Sequence, residues 1–532
     1  MISTQELLKQ GRKSEVWTRY CGYFELTMDE FMEIQERLLM EQIDLLYSSK
    51  IGRHFMSGKK PTSVEEFRNT VPLTTYEDYI EFLGEKNSDS LPEEPVVWAR
   101  TSGRSNANNV KWVPYSKGMY DRHGESVIGG MILSAAKYKG DVQLEIGDKL
   151  LLASAPPPYS TGILSHSLSE RFDIRFLPSL EEGEAMNFSD RIGAGFDQAM
   201  EHGLDYFFGI ASVLVKVGEQ FENSRSKKNE HQKMPPIRSL FRIIKGAIKA
   251  KTEKRNLLPR DMWKVKGIMA GGTDTVIYRK ILEHYWGQKP LEGYSCTEGL
   301  SPATHSWLRT DMTFYPDMDF LEFIPYDDYL KNKADPSYLP KTVLHNELEL
   351  GIYEIVFTNF HGGVLMRYRV GDLLEIVAFQ DEELNIQLPQ CKFYSRADDM
   401  INIAGLATFT ETHIWEIVAD SGIPYEDWTA RKELENGEPL LHLYVELKKD
   451  ADLPLSELNH KLRQSIEKLN DEFADMEEIM GRNCFKVTQL PDGAFRRYMQ
   501  EQMANGADLG HTKPPHMKPS EKIINRLLKK TH

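Results

Sequence analysis

Gln390-Cys391-Lys392-Phe393-Tyr394-Ser395-Arg396, followed by Ala397-Asp398-Asp399-Met400-Ile401-Asn402-Ile403-Ala404-Gly405, marks the point where the texture of the chain changes. The first seven residues read as a strand, and the polar run ending in glycine reads as a turn. Downstream, HLYVELKKD (442–450) alternates like a strand and LSELNHKLRQSIEKLNDEF (455–473) has the apolar spacing of an amphipathic helix. NCFKVTQLP (483–491) reads as another strand, so this part is expected to be a small α+β domain of about 130 residues. Upstream, short apolar strands recur at KLLLASAPPP (149–158), DYFFGIAS (205–212), VKGIMAGGTD (265–274), PLEGYSC (290–296) and YEIVFTNF (353–360). Helical patterns lie between them, among them 28–47 with Phe31, Ile34, Leu38, Leu39, Ile43 and Leu46 at helical intervals. Strands alternating with helices predict an α/β fold rather than an all-β sandwich. The expected division is a large domain over 1–395 and a small, mobile lid over 396–532, hinged near 395–405, with a site in the cleft between them.

The composition agrees. A chain of 532 residues is past the size at which one core keeps growing, which favours several folding units. With 40% hydrophobic and 27% charged residues, disordered and collagen-like classes are excluded as global descriptions. Four cysteines without C-x-x-C spacing indicate neither a disulfide framework nor a cysteine zinc site. MISTQELLKQGRKSE (1–15) has no apolar leader core and no stretch approaches 18 continuous apolar residues, so a soluble, cytoplasmic protein that does not engage a membrane is expected. The net charge of −15 argues against nucleic-acid binding. Locally the balance reverses: residues 221–266 hold fourteen Lys/Arg against four Asp/Glu. That run reads either as a solvated helical face or as a patch attracting an anionic ligand.

Three separated stretches could carry chemistry. In VVWARTSGRSNANNVKWVPYS (96–116) a polar turn joins two strand-like runs. Hydroxyls and exposed N–H groups of Thr101, Ser102, Gly103 and Ser105 can form an anion nest, with Arg104 and Lys111 adding charge, although the same pattern also serves as a plain turn. The Walker pattern is absent. Next, Gly271 and Gly272 would let a flat ring approach the backbone, and Tyr294 could stack on it. In Gly293-Tyr294-Ser295-Cys296-Thr297-Glu298-Gly299, Glu298 is a hard oxygen donor suited to Mg²⁺, or equally a carboxylate at a helix N-terminus. Finally, in Arg367-Tyr368-Arg369-Val370-Gly371-Asp372, Asp372 can accept both hydroxyls of a ribose, or cap a turn with the arginines on a solvated edge. Arg396, at the inferred hinge, could reach ribose or phosphate.

Taken in order, these motifs resemble the adenylate-forming superfamily of acyl and aryl acid ligases. More closely, the chain resembles the auxin-responsive-promoter (Gretchen Hagen-three) family of acyl-acid amido synthetases, especially its bacterial members. FRNTVPLTTYEDY (67–79), DYFFGIASVLVKVGEQ (205–220), FYPDMDFLEFIP (314–325) and MRYRVGDLLEI (366–376) carry the resemblance, as does GADLGHTKP (506–514) near the C-terminus. The resemblance implies a large multi-layer adenylate-forming domain, ATP and Mg²⁺ as cofactors, and a carboxylic acid and an amine, usually an amino acid, as small-molecule partners. The acid would be activated as an acyl-adenylate and then transferred to the amine. By the same resemblance, Thr101 to Ser105 would wrap the β- and γ-phosphates, with Lys111 nearby. Gly271 and Gly272 would border the adenine, and Tyr294 would lie on its face. Thr297 would contact the α-phosphate, Ser295 beside it would belong to the nucleotide site, and Glu298 would hold the metal. Asp372 and Arg396 would fix the ribose, and Lys513 would be the mobile-domain lysine reaching the α-phosphate. Tyr120, Arg122 and Met366 are candidates for the acid site.

One departure matters. The family's first motif usually has threonine after Ser-Gly and a second glycine before the lysine, whereas this chain has Arg104 and about one extra residue before Lys111. Arg104 offers a planar fork of donors to phosphate, or it obstructs the nest. Two alternatives therefore stand beside the acid–amine ligase: an acyl- or aryl-CoA ligase with the same first half-reaction, and a non-catalytic binding protein on a decayed ligase fold.

Overall fold

The computed structural model describes residues 2–101, 111–223, 237–271, 275–397, 399–403, 407–435, 438–470, 473, 477, 482–504 and 515–529. The chain divides into two compact units, Met1–Phe393 and Tyr394–His532.

The larger unit is built on two sheets. One is a four-stranded parallel sheet in the order Ile174–Leu177, Asp148–Ala153, Tyr206–Ile210, Gly267–Gly271. Its strands are runs of buried Leu, Phe and Ile, as expected when helices cover both faces of parallel strands. The second sheet has eight strands, in the order Val343–Leu344, Asp319–Pro325, Gly351–Asn359, Tyr368–Ala378, Gln390–Arg396, Met312–Phe314, Leu300–His305, Gly293–Cys296. Leu291 links the two sheets by accepting from the N–H of Ala270 at 3.0 Å and donating to Ile268 at 2.8 Å. The strand that ends at Gly271 is thus bonded to the segment just before strand Gly293–Cys296 of the other sheet.

Helix Met28–Tyr47 forms where the apolar spacing predicts it. Its N-terminus is closed by Thr27 and Glu30, each side chain bonding the other's backbone N–H. The buried face carries Phe31, Leu39, Ile43 and Leu46. Gln35 pins this helix to the large sheet: its amide donates to the carbonyl of Asp319 at 2.8 Å and accepts from the N–H of Leu321 at 2.9 Å. Helix Lys117–Ala135 is buried on almost every side, and Gly124 is the reason it can be. A Cβ there would stand 2.3 Å from the Ser167 hydroxyl, so only glycine lets helix Ser160–Arg171 approach so closely.

The smaller unit contains a three-stranded sheet in the order Tyr425–Glu435, Glu438–Leu447, Phe485–Gln489. The last two strands are parallel, and helix Leu455–Leu469 lies between them in sequence. The charged strand Tyr425–Glu435 is not foreseen from the sequence pattern. Past Pro515, the backbone of His516 and Lys518 bonds Ala430 at 2.7 and 2.8 Å and extends the pairing along that strand. Among the described residues, no helix is long and apolar enough to cross a membrane.

Candidate active site

Glu298 stands in a β-hairpin loop. Strands Gly293–Cys296 and Leu300–His305 run antiparallel, with Tyr294 opposite Ala303 and Cys296 opposite Leu300. Thr297-Glu298-Gly299 closes the hairpin, and Leu300 takes a left-handed conformation at φ 57°. The reading of Glu298 as a helix N-terminal carboxylate is therefore corrected, because no helix begins there. The loop is held tightly. The N–H of Gly299 donates to Cys296 Sγ at 3.2 Å, and a Cβ on Gly299 would lie 2.9 Å from the ring of Phe357. Tyr115 donates to the carbonyl of Thr297 at 2.7 Å, and Asn359 donates to the carbonyl of Glu298 at 2.8 Å. The Tyr368 hydroxyl lies 3.4 Å from Glu298 Oε1.

Asp372 joins the same cluster. Tyr294 donates to Asp372 Oδ2 at 2.9 Å, and both side chains are buried. Burial first, and then the carboxylate beside it, push the Tyr294 phenol well above its ordinary pKa, so it remains a donor. Its ring lies parallel to Phe393 with centroids 6.1 Å apart. Gly371 at φ 80° provides the left-handed backbone that precedes Asp372. Beneath the hairpin, burial holds the Asp319 carboxyl well above the carboxylate range, while Asn359 bridges Asp319 at 2.9 Å and Glu298.

The arginines of this motif do not lie on a solvated edge. Arg367 reaches Glu322 through two bonds of 2.9 Å, and also Thr342 and the carbonyl of Val71. Arg369 takes Glu354 in a fork of 3.0 and 2.7 Å. They fix the strand that presents Asp372. The 67–79 stretch braces the same place: Thr74 bonds Arg367 and Arg369 through its backbone, and the Tyr79 hydroxyl accepts from the N–H of Met366 at 2.8 Å.

The remaining predicted residues fall into three groups. Thr101 donates to the carbonyl of Lys111 at 3.1 Å, closing a hairpin between strands Val97–Arg100 and Trp112–Tyr115 as the sequence predicts. Lys111 Nζ stands 5.5 Å over the ring of Tyr76. Gly271 ends its strand at the carboxyl edge of the parallel sheet, with open space where a Cβ would point. Such edges are where ligands bind in open α/β sheets. Ser295 Oγ pairs with Ser301 Oγ at 2.9 Å on the exposed side of the hairpin. In a second group, Ser102, Gly103, Arg104, Ser105, Gly272 and Lys513 lie outside the described residues. Arg396 is described: it ends strand Gln390–Arg396, exposed, in the smaller unit.

The third group is held by internal contacts. Tyr120 donates to Glu170 at 2.7 Å, and Arg122 forks onto Asp317 at 3.1 and 2.8 Å. Met366 is fully buried in the main core. Each has partners within the fold. The basic run is also partly spent internally. Arg255 pairs with Asp261, Lys266 with Asp148 and Glu145, and Arg242 donates to the carbonyls of Ala199 and Met200. Conversely, Tyr115, Asn359 and Asp319 brace the Glu298 loop without any signal in the sequence. An aromatic or polar residue inside a strand carries no periodic signal that separates site from core.

Among the described residues no three His, Cys, Asp or Glu side chains converge to hold a metal unaided. A single hard carboxylate such as Glu298 nevertheless fits Mg²⁺, which is usually bound by one or two carboxylates together with substrate phosphates.

With this geometry in place, residues 21–171 match the GH3 family N-terminal domain and residues 312–396 the GH3 family central domain. Over these two stretches the chain carries domains of the GH3 (Gretchen Hagen-three) type. Jasmonoyl--L-amino acid synthetase GH3.5 of Oryza sativa subsp. japonica is 25% identical over 285 residues, 50% of this chain and 47% of that protein. The chain thus spans about half the length of the first curated relatives it matches. Among solved structures, AtGH3.15 acyl acid amido synthetase in complex with 2,4-DB aligns with a TM-score of 0.69 at 16% identity, covering 99% of this chain and 97% of that one. 2-Hydroxyisobutyryl-CoA ligase with bound 2-HIB-AMP aligns at 0.56, also with 16% identity, covering 90% and 94%. The fold is therefore that of GH3 acyl acid amido synthetases and adenylate-forming ligases.

Proposed function

We propose that this chain is an ATP-dependent acid–amine ligase. A carboxylate oxygen attacks the α-phosphorus of ATP and pyrophosphate leaves, giving an acyl-adenylate. The nitrogen of an amine, by analogy with the relatives an amino acid, then attacks the acyl carbonyl and AMP leaves. The adenylation step is needed because a carboxylate is a poor electrophile, whereas AMP departs readily. One observation carries the reading: the hairpin bearing Glu298 and the strand bearing Asp372 are tied through Tyr294, and the bonds of Leu291 to Ile268 and Ala270 set the start of that hairpin beside the strand that ends at Gly271.

In this reading Asp372, oriented by the Tyr294 hydroxyl, accepts the ribose hydroxyls. Gly271 and Gly272 border the adenine, and Thr297 contacts the α-phosphate with Ser295 beside it in the nucleotide site. Glu298 holds Mg²⁺, which when bound neutralises charge on the phosphates. Thr101, Ser102, Gly103, Arg104, Ser105 and Lys111 form the phosphate loop. Arg396 and Lys513 keep the ribose and α-phosphate roles that the family resemblance implies.

The test is acid-dependent exchange of labelled pyrophosphate into ATP across a carboxylic acid panel. Glu298→Ala should lower the exchange rate by on the order of 10²–10³, with the protein still folded. Exchange that persists undiminished in that variant sinks the assignment of Glu298. Because CoA ligases share the fold, the best acid is then offered mixed amino acids or CoA. Thioester without amide would replace the amine reading.

A further inference from the structure

Three side chains that neither the motifs nor the proposed chemistry use form a continuous chain behind the hairpin loop. His123 Nε2 lies 3.2 Å from Ser160 Oγ, Ser160 Oγ lies 3.1 Å from the Tyr115 hydroxyl, and that hydroxyl lies 2.7 Å from the carbonyl oxygen of Thr297. The residues come from three elements: helix Lys117–Ala135, the first turn of helix Ser160–Arg171, and strand Trp112–Tyr115. The glycine contact between the two helices brings the imidazole and the serine together.

Proton counting fixes the direction of the chain. A carbonyl can only accept, so Tyr115 spends its one proton on Thr297. Ser160 must then donate to the Tyr115 oxygen, which leaves its own oxygen to accept. His123 therefore carries its proton on Nε2 and donates it to Ser160. Nδ1 is left with a lone pair, and it is buried with no partner. Burial pushes the His123 pKa down to about 4, so the neutral tautomer persists across the ordinary working range.

We infer that His123, Ser160 and Tyr115 are positioning residues that set the height of the Thr297-Glu298-Gly299 loop, and through it the metal-binding geometry of Glu298. This rests on the ligase reading for its functional half. The chain fixes the carbonyl one residue before Glu298, and Asn359 fixes the carbonyl of Glu298 itself, so the carboxylate is aimed from both sides. Losing one anchor leaves the loop in place through the other but lets the carboxylate wander.

Two readouts test this on the full chain. Hydrogen exchange of the 293–305 hairpin requires no activity, and Y115F, S160A and H123N should each speed exchange there by about three- to tenfold. H123Q should stay within about twofold of wild type, because its amide nitrogen occupies the place of Nε2, whereas that of asparagine falls short. In pyrophosphate exchange, Y115F and H123N should raise the Mg²⁺ concentration needed for half-maximal rate by about three- to tenfold and leave the rate at saturating Mg²⁺ nearly intact. The double variant should lose no more than either single one, since both cut the same chain. Unchanged hairpin protection in Y115F and H123N overturns the inference whatever the activity, and so does an equal loss in H123N and H123Q. A wild type that exchanges no pyrophosphate with any acid, while the hairpin responds as expected, overturns the ligase reading instead.

Discussion

The two units of this protein hold buried positive charge in opposite ways. In Met1–Phe393 the deeply buried cations among the described residues are guanidiniums, Arg367 forked onto Glu322 and Arg191 on the carbonyls of Ser154, Gly183 and Met186, while three buried histidines are held neutral. Burial pushes His123 down to about 4 and His305 and His345 to about 3, with Arg279, Arg309 and Lys392 adding to the effect at His305. In Tyr394–His532 the buried cation is an imidazolium. Burial by itself would lower His516, but Asp427 at 2.8 Å and Glu411 at 3.0 Å outweigh it and push its pKa up to about 9. Trp428 stacks on its ring with centroids 4.7 Å apart, and Trp415 meets it edge-on at 4.9 Å. The difference teaches that a guanidinium pair does not respond to pH in the working range, whereas an imidazolium pair does. The unit that presents the candidate site should therefore weaken in acid, and the smaller unit should weaken in base.

The largest effect should come from removing the charge that cannot titrate. R367M leaves Glu322 buried beside Thr342 with only Arg68, at 3.3 Å, to balance its charge, and should destabilise the larger unit by about 2–4 kcal/mol in denaturant unfolding. A loss below about 1 kcal/mol would mean that Glu322 finds another partner or water. H516Q comes next. It keeps one donor but loses the charge, and at pH 7 it should cost the smaller unit about 1.5–3 kcal/mol. The folded pKa of His516 lies above its unfolded value near 6.5. Its contribution is therefore complete below about pH 6.5 and disappears as pH rises through about 9. The gap between wild type and H516Q should accordingly close by about pH 10, which fluorescence of Trp415 and Trp428 can follow. A gap that stays constant from pH 6 to 10 would show that packing, not charge, holds the clamp.

The same contrast shows what could be read from the sequence. Helix Met28–Tyr47 was legible because its apolar spacing and the Thr27–Glu30 cap are local signals. The buried hydrophobic strands were legible because four or five consecutive apolar residues leave few other options. Strand Tyr425–Glu435 was not, since YEDWTARKELE is too charged to read as a strand, and its partner Glu438–Leu447 imposes the pairing. For Glu298 the sequence left two readings open. The return strand LSPATH removes the helix reading, and its proline and small residues give no strand pattern of their own. Glu298, Asp372 and Gly271 could be marked as motif residues, but not that Tyr294 ties Asp372 to the hairpin, across 78 positions. The two arginines beside Asp372 looked like a solvated edge because their carboxylate partners lie 45 and 15 residues away.

The smallest expected effect tests the acid side of the contrast. His345 is fully buried among Phe31, Phe314 and Phe323, and neither ring nitrogen has a partner. Its folded pKa lies below the unfolded one, so between about pH 6.5 and 3 the unfolded chain binds the extra proton and stability falls as the solution becomes more acidic. H345F removes that proton site and two unpaired polar atoms, and adds a slightly larger ring. At pH 7.5 the change should stay within about 1 kcal/mol of wild type, the gain in polar satisfaction offsetting the tighter packing. As pH is lowered to 5, the variant should lose stability more slowly than wild type, so the difference shifts in its favour. Parallel acid limbs for the two proteins would show that His345 does not take up a proton on unfolding, and the acid weakness of the larger unit would then rest on His123 and His305.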